Sequence, residues 1–177
     1  IAAVTFTAFA FAWNSRRFEH GYLLLLGLCC GCVGIMGVLH ALAFKGMNIF
    51  TDYGANLATQ LWIGSRYLLA TTLIIAPFFL GRRLPLLPAA TVLLAATAAL
   101  IASMFLRLFP LCFVDGVGLT AFKVQSEYVL IGLQFLAGVL MWRKRQLLPP
   151  VTLRYLVAYF AFCIGANFCF TAYFHFY

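Results

Sequence analysis

An all-α, polytopic transmembrane helical bundle is the fold this sequence predicts, on three observations. Of 177 residues, 65% are hydrophobic and only 9% charged, against about 25% charged in an ordinary soluble domain. Mean hydropathy is +1.02. The apolar residues are gathered into runs, several near the roughly 20 residues a helix needs to cross a hydrocarbon core. The connectors between them are too short for a soluble catalytic domain, and none carries a nucleotide-binding glycine loop. The chain reads as one domain, 1–177.

Six hydrophobic segments follow in order. Ile1–Trp13 is apolar but, as a helix, only about 20 Å long. The chain is therefore expected to start inside its first span. Its charges (Arg16 and Arg17) follow the apolar run, which is the wrong order for a signal peptide. The next spans are expected over Gly21–Phe44, Leu57–Leu80, Leu86–Leu108, Phe122–Trp142 and Val151–Tyr177. Gly81-Arg82-Arg83-Leu84-Pro85 and Arg143–Pro150 break the runs with charge, glycine and proline. Trp13, Trp62 and Trp142 suit the aromatic belt at a membrane surface.

The net charge of +8 forms no basic face or arm, which argues against a nucleic-acid partner. Alternate connectors hold Arg16, Arg17, Arg82, Arg83, Arg143, Lys144, Arg145 and Arg154. The opposite ones hold Lys45, Arg107 and Lys123, with Asp52 and Asp115 beside them. By the positive-inside rule the first set is cytoplasmic, so Phe109–Tyr128 and the Lys45–Asn56 loop face outward. Of the six cysteines only Cys112 sits in a loop. Cys29, Cys30 and Cys32 read as small packing residues beside Gly27, Gly31 and Gly34.

Phe109–Tyr128 is the one hydrophilic island, with Pro110, Gly116 and Gly118 to stop helices and Asp115, Lys123 and Glu127 for charge. Helical spacing groups further polar residues. Thr59, Trp62 and Arg66 share one face of the third span, and Lys123, Glu127 and Gln134 one face of the fifth. Cys29, Val33, Met36 and His40 form a stripe on the second. Ionisable groups at membrane depth face the interior and pair, which predicts an Arg66–Glu127 ion pair. A structural staple would account for that pair alone. The surrounding polar residues favour an outward-facing ligand cavity instead: His40, Lys45, Asn56, Gln60, Trp62, Arg66, Asp115, Lys123, Glu127 and Tyr128 are the candidate sensing residues. Pro110–Phe122 is the expected lid. No catalytic constellation is present, because one deep carboxylate cannot supply both acid and base. His40 and His175 are the candidate ligands if a haem or metal is bound; otherwise no cofactor is expected.

Three motifs bring in a family. His40-Ala41-Leu42-Ala43-Phe44-Lys45-Gly46-Met47, with Asn56-Leu57-Ala58-Thr59-Gln60-Leu61-Trp62-Ile63 and Arg66-Tyr67, resembles the third variety of the MASE group of bacterial membrane-associated sensor domains. Phe109-Pro110, Cys112-Phe113, Gly116, Gly118-Leu119-Thr120, Phe122-Lys123 and Ser126-Glu127-Tyr128 resemble its second signature. Phe170-Thr171-Ala172-Tyr173 resembles its late aromatic motif. The resemblance implies a sensory module of seven or eight helices in the bacterial inner membrane, with spans flanking this stretch. It also implies a cytoplasmic output domain in the same chain: a diguanylate cyclase or phosphodiesterase turning over cyclic di-GMP, or PAS and histidine kinase domains. Asn167 stands where the resemblance leads one to expect an acid.

The expected function is therefore sensing of a small ligand or membrane condition from outside, by a module in contact with the lipid bilayer that pairs as a homodimer. A small transporter would instead show inverted repeats, and none is visible. A passive membrane anchor is the remaining reading.

Overall fold

The computed structural model describes residues 2–14 and 21–172. Among them are six α-helices: α1 (Ala2–Asn14), α2 (Gly21–Leu42), α3 (Asn56–Ile75), α4 (Leu86–Phe105), α5 (Ala121–Arg143) and α6 (Pro150–Ala172). Helices α2 to α6 are long and apolar enough to cross a membrane, whereas α1, with 13 residues, is not. This is a nearly all-α, multi-pass membrane protein. The end of the bundle where α2 finishes and α3 begins is the loop end; the other is the arginine end.

Helix limits differ from expectation where the backbone has a local reason. After Ile75 the chain tightens into a 3-10 turn over Ala76–Phe79, because Pro77 has no N–H for the α ladder. Helix α4 stops at Phe105 rather than Leu108, where the N–H groups of Leu108 and Phe109 both return to the Ser103 carbonyl at 2.8 and 3.0 Å. The polar island also holds a small antiparallel ribbon that hydropathy does not reveal. Its strands, β1 (Phe113–Val114) and β2 (Gly118–Leu119), pair Phe113 with Leu119 and Val114 with Gly118. Gly116 turns the ribbon at φ +82°, a conformation side chains disfavour.

Helix α3 is the centre. In its spanning segment 56% of residues are buried, against 11% in α4 and in α6, so the latter two are left largely uncovered by the other described helices. Leu57, Leu61 and Leu68 of α3 share a core with Cys29 and Met36 of α2 and Met104 of α4. A second cluster joins Ile63 and Ala70 of α3 to Leu130 of α5 and to Cys112 of the loop. Helices α3 and α5 both start at the loop end and run side by side. At the arginine end they are tied again, where Lys144 Nζ donates to the Pro77 carbonyl at 2.9 Å.

Helix α1 lies on α2 along Gly27, Gly31 and Gly34, as the small-residue reading expects. A Cβ at Gly27 would fall on the Ala12 side chain, and one at Gly31 would come within 3.0 Å of the Phe9 ring. Close approach without side chains is how helices associate in lipid. Gly27→Val is expected to push α1 off and cost about 1–3 kcal/mol, read as a lower thermal midpoint in detergent. Gly37→Ala, whose added carbon would meet Ala2 at an ordinary 3.6 Å, serves as the neutral control.

Candidate functional site

The first two turns of α3 carry two amide side chains one turn apart, and both hold the polar island. Asn56 Oδ1 accepts the N–H groups of Cys112 (2.8 Å) and Phe113 (3.0 Å). Gln60 Nε2 donates to the carbonyls of Phe109 (3.1 Å) and Pro110 (2.9 Å). From the other side, the Thr120 hydroxyl donates to the Leu111 carbonyl at 2.6 Å and the Thr120 N–H to the Cys112 carbonyl at 3.0 Å. The same hydroxyl accepts from Lys123 N at 3.3 Å and so caps α5, a role for which threonine is well suited. The loop is thus fastened to α3 and to the start of α5. Cys112 is entirely buried by this arrangement. Burial pushes its thiol up to about 12, with the nearby Lys123 charge acting the other way.

Beside the clamp, a cleft of about 380 Å³ opens at the loop end between the Thr51–Tyr53 turn, α3, the end of α4 and the island. Asn56 and Gln60 form its inner wall, Met104, Phe109 and Leu111 its apolar side, and Asp52, Tyr53 and Arg107 the rest. The Tyr53 hydroxyl donates to the Phe105 carbonyl at 2.9 Å, and its ring meets Phe105 edge to face at 5.5 Å. The Arg107 guanidinium lies over the Tyr53 ring at 5.4 Å, with Nη2 3.4 Å from the Asp52 carbonyl oxygen. A smaller hollow of about 150 Å³ lies behind Lys45 and Phe50.

The ten candidate residues divide into separate groups. Asn56 and Gln60 reach the main cleft. Lys45 and Asp115 form an exposed ion pair at 3.5 Å, with side chains 72% and 63% accessible; such pairs contribute little. It links the Lys45 turn to the ribbon. Tyr128, 57% exposed, points off the bundle. His40 Nδ1 lies 2.7 Å from the Ala58 carbonyl, which requires the proton on that nitrogen. Its ring stands 5.9 Å from that of Trp62. His175 lies outside the described residues, as do Arg16 and Arg17.

Among the described residues the expected Arg66–Glu127 ion pair does not form. Lys123 Nζ is 3.0 Å from Glu127 Oε1, with both side chains 5% exposed or less. That contact lacks hydrogen-bond alignment, so among the described residues neither Glu127 oxygen accepts a directed bond. Arg66 instead lies over Trp62 at 4.4 Å, its Nε buried with no hydrogen-bond partner among the described residues. Each charge finds its neighbour four residues away on its own helix, a contact that needs no interhelical register. Deeper in the seam between α5 and α6, Asn167 Nδ2 donates to Gln134 Oε1 at 3.1 Å, fully buried. A neutral side chain suits that partner, since an acid there would bring an uncompensated charge into the core.

Arg107 and Tyr53 belong to the cleft but not to the candidate set drawn from spacing. Spacing could not single out Arg107, because the span was expected to stay helical to Leu108; in the structure α4 ends at Phe105 without the glycine that usually occupies the left-handed position after a helix. Arg107 takes that position at φ +59°.

No curated protein and no solved structure matches this chain. A family model does, that of MASE3, the membrane-associated sensor domain, and the match runs over residues 1–177. With a helical bundle that has, among the described residues, five helices long and apolar enough to cross a membrane, the chain belongs to the MASE3 family of membrane-associated sensor domains.

Proposed function

We propose that this domain, set in a bacterial inner membrane with its loop end outward, binds a small ligand at that end and regulates a cytoplasmic output domain in the same chain. The output is cyclic di-GMP turnover or histidine kinase activity. One observation carries the reading: α3 grips the cleft-forming loop at one end through Asn56 and Gln60 and is tied to α5 at the other through Pro77 and Lys144. A ligand that prefers one loop position shifts the population of α3 relative to α5 by its differential affinity, and the shift is delivered at the arginine end. The poorly covered faces of α4 and α6 contact lipid and supply the surface on which two copies pair as a homodimer. His40, Trp62, Arg66, Lys123 and Glu127 lie along the helices that move and set the balance between packings.

The test uses the full-length protein in membrane vesicles, with output read as cyclic di-GMP formed or as autophosphorylation. Arg66→Ala and Glu127→Gln are each expected to change output about fivefold, the lower range of allosteric coupling. Unchanged output in both, together with retained regulation when the domain is replaced by an unrelated helical anchor, refutes the sensory reading.

A further inference from the structure

We infer that the ligand of the loop-end cleft is a zwitterion of α-amino-acid form, its carboxylate held by Arg107 and its ammonium by Asp52 and Gln60. This rests on the sensory reading above and names its ligand class. The backbone supplies the first reason. Arg107 occupies the left-handed position at the end of α4, with its N–H bonded to the Met104 carbonyl at 3.1 Å. Glycine reaches that conformation without strain, whereas a side chain there is disfavoured. A strained residue held at a cleft points to a functional use for its side chain. Here the guanidinium is carried across the Tyr53 ring to the cleft wall.

Charge supplies the second reason. Among the described residues neither Arg107 nor Asp52 has an ion-pair partner. Arg107 touches the main-chain carbonyl of Asp52 at 3.4 Å and not its carboxylate. Two opposite charges, both on exposed residues, therefore flank one cleft as neighbours without pairing with each other. Their closeness suits a molecule whose ammonium and carboxylate share one carbon, and not one that holds them far apart.

Gln60 supplies the third. It is only 2% exposed and lines the cleft. Because Nε2 is committed to two carbonyls, Oε1 is the acceptor left for an incoming N–H. Met104, Phe109 and Leu111 offer an apolar wall, so an apolar side chain is preferred. The volume, about 380 Å³, lies within the range for small-ligand pockets.

The experiment measures thermal midpoints of the protein in lipid nanodiscs, with L-leucine, L-phenylalanine and L-glutamine as probes. Their methyl esters, which lack the carboxylate, and their N-acetyl forms, which lack the ammonium, are run alongside. At least one free amino acid is expected to raise the midpoint by about 3 °C at saturation, with no rise from its two derivatives. Arg107→Gly is expected to hold or raise the unliganded midpoint, because glycine removes the strain, while weakening binding about tenfold or more. Asp52→Asn is expected to weaken it likewise. The inference is overturned if no probe shifts the midpoint, if the esters act as well as the acids, or if Arg107→Gly binds as the parent does. An Arg107→Gly protein less stable than the parent also overturns it, since the arginine would then be structural. Binding without any effect on output would leave this inference standing and remove the sensory reading. Regulated output without amino-acid binding would do the reverse.

Discussion

Glu127→Ala is expected to destabilise the domain by about 3–5 kcal/mol, the usual cost of breaking a buried ion pair from one side. The substitution removes the carboxylate 3.0 Å from the Lys123 ammonium while that ammonium stays only 5% exposed. The loss arises from taking the nearby carboxylate away from a buried ammonium in a medium that solvates charge poorly, not from the attraction alone. Replacing both residues, Lys123→Met with Glu127→Leu, is therefore expected to recover most of the loss and even to exceed the parent in thermal midpoint. Chemical or thermal unfolding in a fixed detergent checks both. If the single and double variants were equally destabilised, the pair would owe its effect to packing, and the electrostatic account would fail.

Asn56→Ala is expected to free the polar island. Two backbone N–H groups, of Cys112 and Phe113, lose their acceptor at once, and each costs about 1–3 kcal/mol if it stays buried. The loop relieves part of that cost by moving out to water, so the measured destabilisation is expected near the lower end, about 2 kcal/mol. The movement has its own reporter. Cys112 is wholly buried in the intact clamp, and a thiol pushed up to about 12 holds little thiolate at neutral pH, so a thiol reagent acts on it slowly. A membrane-impermeant maleimide is expected to label the Asn56→Ala protein at least about tenfold faster, reflecting the population of the open loop. Cys112→Ser in the same background must abolish the difference. Equal labelling of parent and variant would show that Asn56 does not hold the loop. Labelling from the outer face of sealed vesicles tests the orientation independently.

The helices were legible because lipid imposes a strong rule. Backbone groups in hydrocarbon must bond internally, so every long apolar run among the described residues becomes a helix, and connectors such as Gly81–Pro85 can only lie at the ends. Glycine spacing on α2 likewise showed where another helix could approach closely. The site was legible only in part. Asn56 and Gln60 could be picked out as polar residues near one helix start, but spacing cannot say whether an amide meets a ligand or a neighbouring backbone. Here Asn56 Oδ1 and Gln60 Nε2 serve the loop, which leaves Asn56 Nδ2 and Gln60 Oε1 as the amide atoms not engaged by it.

Arg66 and Glu127 show the same limit for charge. Both were identified as deep ionisable residues by position alone, and both are where helical periodicity puts them. Which partner each takes depends on distances of a few ångströms between helices, and hydropathy carries no such information. The contact along one helix with Lys123 or Trp62 wins because the helix itself fixes that geometry.

The Phe109–Tyr128 stretch divides the two kinds of knowledge most clearly. Sequence by itself determined that it is a polar break between spans, that it lies on the side poor in arginine, and that the domain around it is an all-α bundle. Only the tertiary structure decided that the break folds as a short ribbon, fastened to α3 by side-chain amides and lying beside a cleft that Arg107 reaches from a strained helix end. Local sequence dictates backbone bonding within an apolar run. The bonds that shape a cleft join residues about fifty positions apart, and their formation depends on how the helices pack.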